Sequence, residues 1–289
     1  MLLFAACHAG HPMGDDAPID GKTVDADPGW APLVMRSWTL PSNSEAYRCT
    51  RIQIPTDMWV SGFRAIAPPG THHGVLTISS TTTPLGDYNC SPNNLDQQML
   101  YASGVGTDDL LFPDGVAIHL TAGQYINLNL HLYNATDNQL DETSGVEVRT
   151  MEASKVVHPA DMTFAGTFNI NVPNDGLVHT ANGGCSIPAD WHVFTLWPHM
   201  HQTAIHQKLT VTHSTPITML DVPYVFTEQK NYPMADTLLH AGDSLGVTCS
   251  YINNGPMPLT FGDSSDSEMC FTGIYKYPAG GSLFGCVSN

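Results

Sequence analysis

Gln124-Tyr125-Ile126-Asn127-Leu128-Asn129-Leu130-His131-Leu132-Tyr133 is the stretch whose pattern decides the fold class. Ile126, Leu128, Leu130 and Leu132 alternate with Asn127, Asn129 and His131, the period of two expected of a strand with one face on a core. The alternation puts His131 on the polar face, away from that strand's own core side.

Outward from this strand, from Trp38 onward, short β-branched or aromatic runs are separated by Gly, Pro, Asn and Asp, with few long helical stripes. That is the pattern of an all-β sandwich. Further strands are expected near residues 145–149, 191–200, 207–212, 244–251 and 269–277. In the last, Met269, Phe271 and Gly273 share one face while Cys270, Thr272 and Ile274 share the other. A weak internal echo relates Ala122-Gly123-Gln124 and its strand, ending at Asn134, to Ala241-Gly242-Asp243 and the run to Tyr251, ending at Asn253. The echo predicts two related, consecutive antiparallel β domains joined near residues 151–160. They are expected over 31–155 and 156–289, after a signal remnant and flexible tether over 1–30 that contains His8 and His11.

With 289 residues, 42% of them hydrophobic, the chain is long enough for two domains and is no disordered polymer. Its formal charge of -17, from 27 acidic against 10 basic residues, argues against electrostatic binding to nucleic acid or to anionic membrane. No apolar run approaches the roughly 20 residues of a spanning helix. Leu2-Leu3-Phe4-Ala5-Ala6-Cys7 resembles the end of a bacterial lipoprotein signal, which makes Cys7 a candidate lipidation site and the sole expected membrane attachment. The apolar part is shorter than the about 7–15 residues of a signal core, so the start reads as late or trimmed. The other six cysteines, Cys49, Cys90, Cys185, Cys249, Cys270 and Cys286, form an even set without a CxxC motif. They point to disulfides and an oxidising, extracytoplasmic compartment, either the bacterial cell envelope or secretion, and sequence alone does not choose their pairing.

Four separated groups could bind a soft or borderline metal: His72-His73, His131, His199 with His201, and Met269. Two imidazoles one residue apart in a strand project from one face and can grip one ion, and Pro198 marks an edge or bulge where such a site can open. His72 and His73 follow the turn Pro68-Pro69-Gly70-Thr71; adjacent residues of a regular strand face opposite ways, so a joint role needs a strand end. Taken singly, His131 reads as a polar-face histidine and Met269 as a core residue. Imidazole and thioether together select copper, because zinc and hard cations rarely use methionine. Of the other histidines, His206 and His213 are expected at the surface, His119 and His192 buried or hydrogen-bonded, and His158, His179 and His240 in loops. Asn134-Ala135-Thr136 is a glycosylation sequon, idle in a bacterial setting.

In order and context these residues resemble the copper type II, ascorbate-dependent monooxygenases, the family of peptidylglycine α-hydroxylating monooxygenase and dopamine β-monooxygenase. The matching blocks are Thr71-His72-His73-Gly74, Leu130-His131-Leu132-Tyr133, Pro198-His199-Met200-His201 and Ser267-Glu268-Met269-Cys270, flanked by His192-Val193-Phe194, Thr248-Cys249-Ser250-Tyr251 and Tyr275-Lys276-Tyr277-Pro278. The resemblance runs from about Trp38 to the C-terminus. It implies two jelly-roll-like sandwiches with a cleft between them, and two copper ions per chain. One copper would be held by His72, His73 and His131 and supply an electron; the other, on the catalytic residues His199, His201 and Met269, would activate O2. An ascorbate-like donor would reload both. The resemblance also implies the disulfides Cys49–Cys90, Cys185–Cys286 and Cys249–Cys270; other disulfides of the family are absent.

The substrate is where this chain departs from the peptide-amidating members. They carry an arginine two positions before the His-x-His pair, and an asparagine and a tyrosine after the methionine, to hold a terminal carboxylate. Trp197, Phe271 and Gly273 stand at those positions, and residues 151–289 contain no arginine. A bidentate carboxylate clamp from that half is therefore absent. Trp197 and Phe271 are expected to form an aromatic wall for a small apolar or aromatic substrate. Two rivals stand beside the enzyme: a copper-binding or copper-delivery protein without turnover, and a β-sandwich adhesion or carbohydrate-binding lipoprotein with fortuitous histidines.

Overall fold

The computed structural model describes residues 29–91, 98–262, 264 and 266–288. Cys7 and the tether through residue 28, with His8 and His11, lie outside the described residues. Among the described residues the chain is almost entirely β, with a single 3-10 turn at Ala153–Lys155. Among the described residues no helix is long and apolar enough to cross a membrane.

The alternating stretch forms the strand Tyr125–Asn134. Ile126, Leu128, Leu130 and Leu132 enter the core as the period requires, each burial contributing roughly 1.5–3 kcal/mol. Its polar face is covered as well, which an alternating pattern does not foretell. Tyr88 donates to Asn127 Oδ1 at 2.8 Å, Asn129 donates to Ser91 O at 3.1 Å, and Cys49 and Cys90 touch Asn127 and Asn129. Tyr47 stacks on His131, 4.6 Å between ring centres. His131 is thus on the polar face but only 6% exposed.

This strand is the middle of a five-stranded sheet ordered Gly86–Asn89, Ser44–Gln53, Tyr125–Asn134, Thr71–Ser79, Gln98–Gly104. A second sheet runs Ala31–Leu40, Leu140–Met151, Met58–Ile66, Val116–Leu120, His158–Pro159, with Leu110–Leu111 beside Met58–Ile66. The later residues build another pair of sheets. One is ordered Tyr232–Leu239, Trp191–His199, Cys270–Tyr277, Asp161–Thr167, Cys286–Ser288, and the other Val178–Ser186, Ser244–Ile252, Ala204–Thr212, Pro216–Pro223. A short pair, Asn171–Val172 with Leu259–Thr260, completes the architecture. Among the described strands, pairing is antiparallel except where His158–Pro159 joins Val116–Leu120 and Cys286–Ser288 joins Asp161–Thr167. His158–Pro159 therefore adds to a sheet of the first half.

The echo in sequence corresponds to one turn built twice. Gly123 N–H donates to Ile54 O and Gly242 N–H to Ile187 O, both at 2.8 Å; Ile54 and Ile187 N–H return bonds to Gln124 O and Asp243 O, again at 2.8 Å. Asp57 accepts from Ala122 N–H and Asp190 from Ala241 N–H. Gly123 and Gly242 have φ of 83° and 90°, which a side chain would oppose. A buried asparagine closes the first following strand and comes just after the second, and its side chain bonds loop backbone: Asn134 to Leu40, Pro41 and Asn138 carbonyls, Asn253 to those of Val172 and Met257. Asn134, the asparagine of the sequon, is only 1% exposed in the folded chain.

The three cysteine pairs are Cys49–Cys90, Cys185–Cys286 and Cys249–Cys270, with Cα separations of 5.8, 4.8 and 5.8 Å. They place the folded chain in an oxidising, extracytoplasmic environment. Between the halves there is packed core: Phe112 meets Phe194 and Tyr275 edge-on or tilted, Tyr275 donates to Leu100 O at 3.1 Å, and one cluster of buried side chains runs from Val34 through Leu100 and Phe112 to Trp197 and Phe271.

Candidate metal centres

His72 and His73 lie at the start of Thr71–Ser79, paired with Tyr125–Asn134. Thr71 faces Leu132 and His73 faces His131, so His72 is an extra residue at a register shift. Such a bulge re-aims side chains, and it removes the objection that neighbouring residues point to opposite faces. The Nδ1 atoms of His72 and His73 are 3.1 Å apart and those of His73 and His131 3.4 Å apart; one nitrogen from each ring lies within 4.8 Å of the others. Ligands about 2.0 Å from one ion in a tetrahedral arrangement are separated by about 3.3 Å. Hydrogen bonding accounts less well for the cluster, since a neutral His73 can donate from Nδ1 only once while two nitrogens approach it.

The far side of His131 supports the same geometry. Its Nε2 contacts Glu45 Oε1 at 2.5 Å, which fixes the tautomer so that Nδ1 is the free lone pair. Burial holds His72 below the usual imidazole pKa, with the His131 charge adding to the effect and Glu45 opposing it. Burial and then the neighbouring His131, His72, His199 and His201 hold His73 well below it. Burial likewise lowers His131 against the raising effect of Glu45. All three rings are then neutral near pH 7, the form that ligates.

His199 closes the strand Trp191–His199, opposite Phe271 of Cys270–Tyr277. The neighbouring strand Tyr232–Leu239 has already ended at Tyr232, opposite Leu196, so Pro198 occupies a local edge where its missing N–H leaves no ladder bond unmade. His201 lies just past the strand and is buried. His199 Nδ1 is 3.1 Å from Gln229 Oε1 and His201 Nδ1 is 2.9 Å from Ser267 O. Each ring therefore spends Nδ1 on a protein acceptor and keeps Nε2 for a ligand. Burial and then His201 lower the His199 pKa to about 3, opposed by Gln229.

Met269 is buried one residue before Cys270–Tyr277, next to the Ser267 carbonyl that holds His201. Its carbonyl accepts from the Tyr251 hydroxyl at 2.8 Å. This corner is tied together by Glu268, which stands in the block around Met269 but has no expected role there, and which has no solvent exposure. Glu268 accepts from the backbone N–H of His201 (2.9 Å), Thr203 (2.8 Å) and Met269 (3.2 Å) and from the Thr203 hydroxyl (2.7 Å). Gln229, Phe226 and Glu45 were also missed. Each is distant in sequence from the residue it serves and lies in a stretch with no motif.

Trp197 and Phe271 are packed as core rather than displayed as a wall. Trp197 is 1% exposed, donates Nε1–H to Gln229 O and lies stacked against His199 at 4.8 Å; Gly273, opposite it, leaves room for Met162 first and then for the indole. Phe271 is 2% exposed among Phe164, Phe168, Phe261 and Phe284. Elsewhere, His119 is exposed and stacked on Trp59, contrary to the expectation of a buried or bonded ring. His158 and His179 lie in strands rather than loops; His240 is in a loop. His192 bonds Asp236 as expected, and His213 is exposed beside Asp243.

No family model matches the chain. Among solved structures it is similar to the crystal structure of the STIV MCP, 11% identical over 77% of this chain and 92% of that one, with a TM-score of 0.24. It is also similar to the structure of infectious bursal disease virus Gx strain, 9% identical over 90% and 76%, with a TM-score of 0.21. Likenesses of this size carry no argument about what the chain does.

Proposed function

We propose that the chain is a two-copper monooxygenase that hydroxylates an aliphatic C–H bond of a small apolar or aromatic substrate. One atom of O2 enters the C–H bond and the other leaves as water, with two protons and two electrons taken from a one-electron donor of the ascorbate type. The observation that carries the proposal is the pairing of two histidine groups, one with three converging Nδ1 atoms and one with both Nδ1 atoms already bonded to protein. Copper bound to both groups would supply O2 activation at one and storage of the second electron at the other.

The donor set suits copper: three neutral imidazoles at His72, His73 and His131, and two imidazoles beside a methionine at His199, His201 and Met269. Glu45 orients His131 and Gln229 orients His199, while Ser267 O turns His201. Glu268 fixes the backbone on both sides of the second group. Trp197, stacked on His199, keeps water from that ring. The substrate class rests on the missing arginine clamp and the aromatic surroundings of His199. The ordered resemblance to the ascorbate-dependent monooxygenases supports the same reading. The proposal extends to an envelope lipoprotein or secreted protein, with acylation of Cys7 checked by mass spectrometry of the protein from its native host.

The test is anaerobic copper loading followed by O2, ascorbate and a panel of alkyl-aromatic and aliphatic compounds, with product identified by mass spectrometry and ¹⁸O label. One labelled oxygen per product, abolished by Met269→Ile with copper kept at the first group, is the expected result. Product formation undiminished in that variant would contradict the assignment of the oxygen site. A copper-holding protein without turnover is the second reading, favoured by the packing of Phe226 between the two groups; copper binding without substrate-dependent O2 uptake would select it.

A further inference from the structure

Residues 224–230 cross from the second half to the first and carry one aromatic ring between the two histidine groups. The backbone of this strap is fixed along its length. The Tyr224 hydroxyl donates to Met200 O at 2.7 Å, and Tyr224 N–H to Ile205 O at 2.9 Å. Val105 N–H donates to Thr227 O at 2.8 Å, the Thr107 hydroxyl to Glu228 O at 3.1 Å, and Trp197 Nε1–H to Gln229 O at 3.1 Å. None of these bonds uses the side chain of Phe226. That ring is half-buried, its centre 5.5 Å from His72, 6.3 Å from His73 and 6.1 Å from His201. The His72 and His201 rings are therefore no further apart than legs of 5.5 and 6.1 Å laid end to end. Val225 and Thr227, on either side, are exposed.

We propose that Phe226 holds the place of the substrate: a single-ring alkyl-aromatic compound binds by displacing the Phe226 side chain, and the size of that side chain sets the size of what is accepted. The inference rests on the two-copper reading. A substrate whose C–H bond approaches the His199–His201 group from the side that faces the His72–His73–His131 group takes the space where Phe226 now lies. A benzyl group fills that space already, edge-on to His73 and His201 at interplanar angles of 74° and 79°. Exchanging one aromatic ring for another keeps the volume and the edge-to-face contacts, so the loss on displacement is small. Because the strap is anchored through its backbone, Tyr224 and Gln229, the Phe226 side chain can change rotamer without breaking those bonds. The exposed flanks of the strap give the displaced ring somewhere to go.

The test uses ethylbenzene on the full-length, copper-free protein, with affinity from titration calorimetry and location from the histidine ring-proton signals in NMR. Wild type should bind and shift the signals of His72, His73 and His201. Phe226→Ala should bind at least tenfold more tightly and admit biphenyl, which wild type excludes, and Phe226→Trp should bind at least tenfold more weakly. Thermal unfolding confirms that each variant is folded, and Phe112→Ala, at the packed join, serves as a cavity control that should not move those three histidines. Absence of wild-type binding, shifts that miss the three histidines, or equal affinity in Phe226→Trp would overturn the inference. Failure of the two-copper reading is separately visible: the protein would then bind ethylbenzene as described yet take up no copper pair.

Discussion

Glu45 and Glu268 serve the two histidine groups in different ways. Glu45 is half-exposed and acts through one contact to His131 Nε2, so its effect is on the orientation and basicity of a ligand. Glu45→Ala should therefore weaken copper at the first group by about 10–100-fold and leave the second unchanged, as read by competitive chelator titration. Glu268 is buried with every oxygen engaged, so its effect is on the fold of the corner. Glu268→Gln replaces an acceptor by an NH2 that faces backbone donors, and should cost about 2–3 kcal/mol in denaturant unfolding while loosening the second group. Single side chains are what the sequence reveals least. The pairs His72-His73 and His199-x-His201 stand out because ligand residue types at short spacing carry their own signal, whereas His131 and Met269 join them only through the family resemblance. Glu45, Gln229 and Phe226 carry no such signal, because each meets its histidine only through the fold. Trp197, expected as part of an exposed aromatic wall, is core instead, packed opposite a glycine that its own stretch of sequence does not announce.

Among the elements, Tyr125–Asn134 was legible from alternation alone, and the two Ala-Gly turns announced a repeat that their hydrogen bonds share in detail. The bulge at His72 was not legible, since nothing in the local sequence fixes where a register slips; it is nonetheless what lets two adjacent histidines act together. The Cys249–Cys270 bridge ties the strand Ser244–Ile252 to the residue after Met269 across a separation of 21. Replacing both cysteines by serine should lower stability by about 3 kcal/mol in the chain-entropy view. It should also weaken the second copper more than the first, a difference that metal titration of the folded variant would reveal. Equal weakening of both groups would mean that the bridge does not position Met269.

For the whole molecule, the strong negative charge and the six bridged cysteines bound the answer without locating a site. The packed join between the halves was not foreseen: alternation shows which face of a strand is apolar, but not which of two sandwiches will cover it. That join brings the histidine groups onto either side of Phe226 and makes their titration a property of the whole fold. The folded-state pKa values of His72, His73, His131 and His199 are lowered from 6.5, so the unfolded chain binds more protons than the native one below that value. The stability of the copper-free protein should accordingly be flat in this respect above about pH 6.5 and fall as the pH drops from there toward the His199 value of about 3. A His199→Gln variant should show a shallower fall of melting temperature over that window; an unchanged slope would contradict the buried, neutral state of that ring.

In the proposed enzyme two separate groups of side chains each hold one copper. Anaerobic loading with cuprous ion, removal of excess and metal analysis test this most directly, on wild type and on His73→Ala and His199→Ala variants. Two coppers are expected per wild-type chain and one in each variant. One copper or none in the wild type, or two retained in either variant, would contradict the proposal.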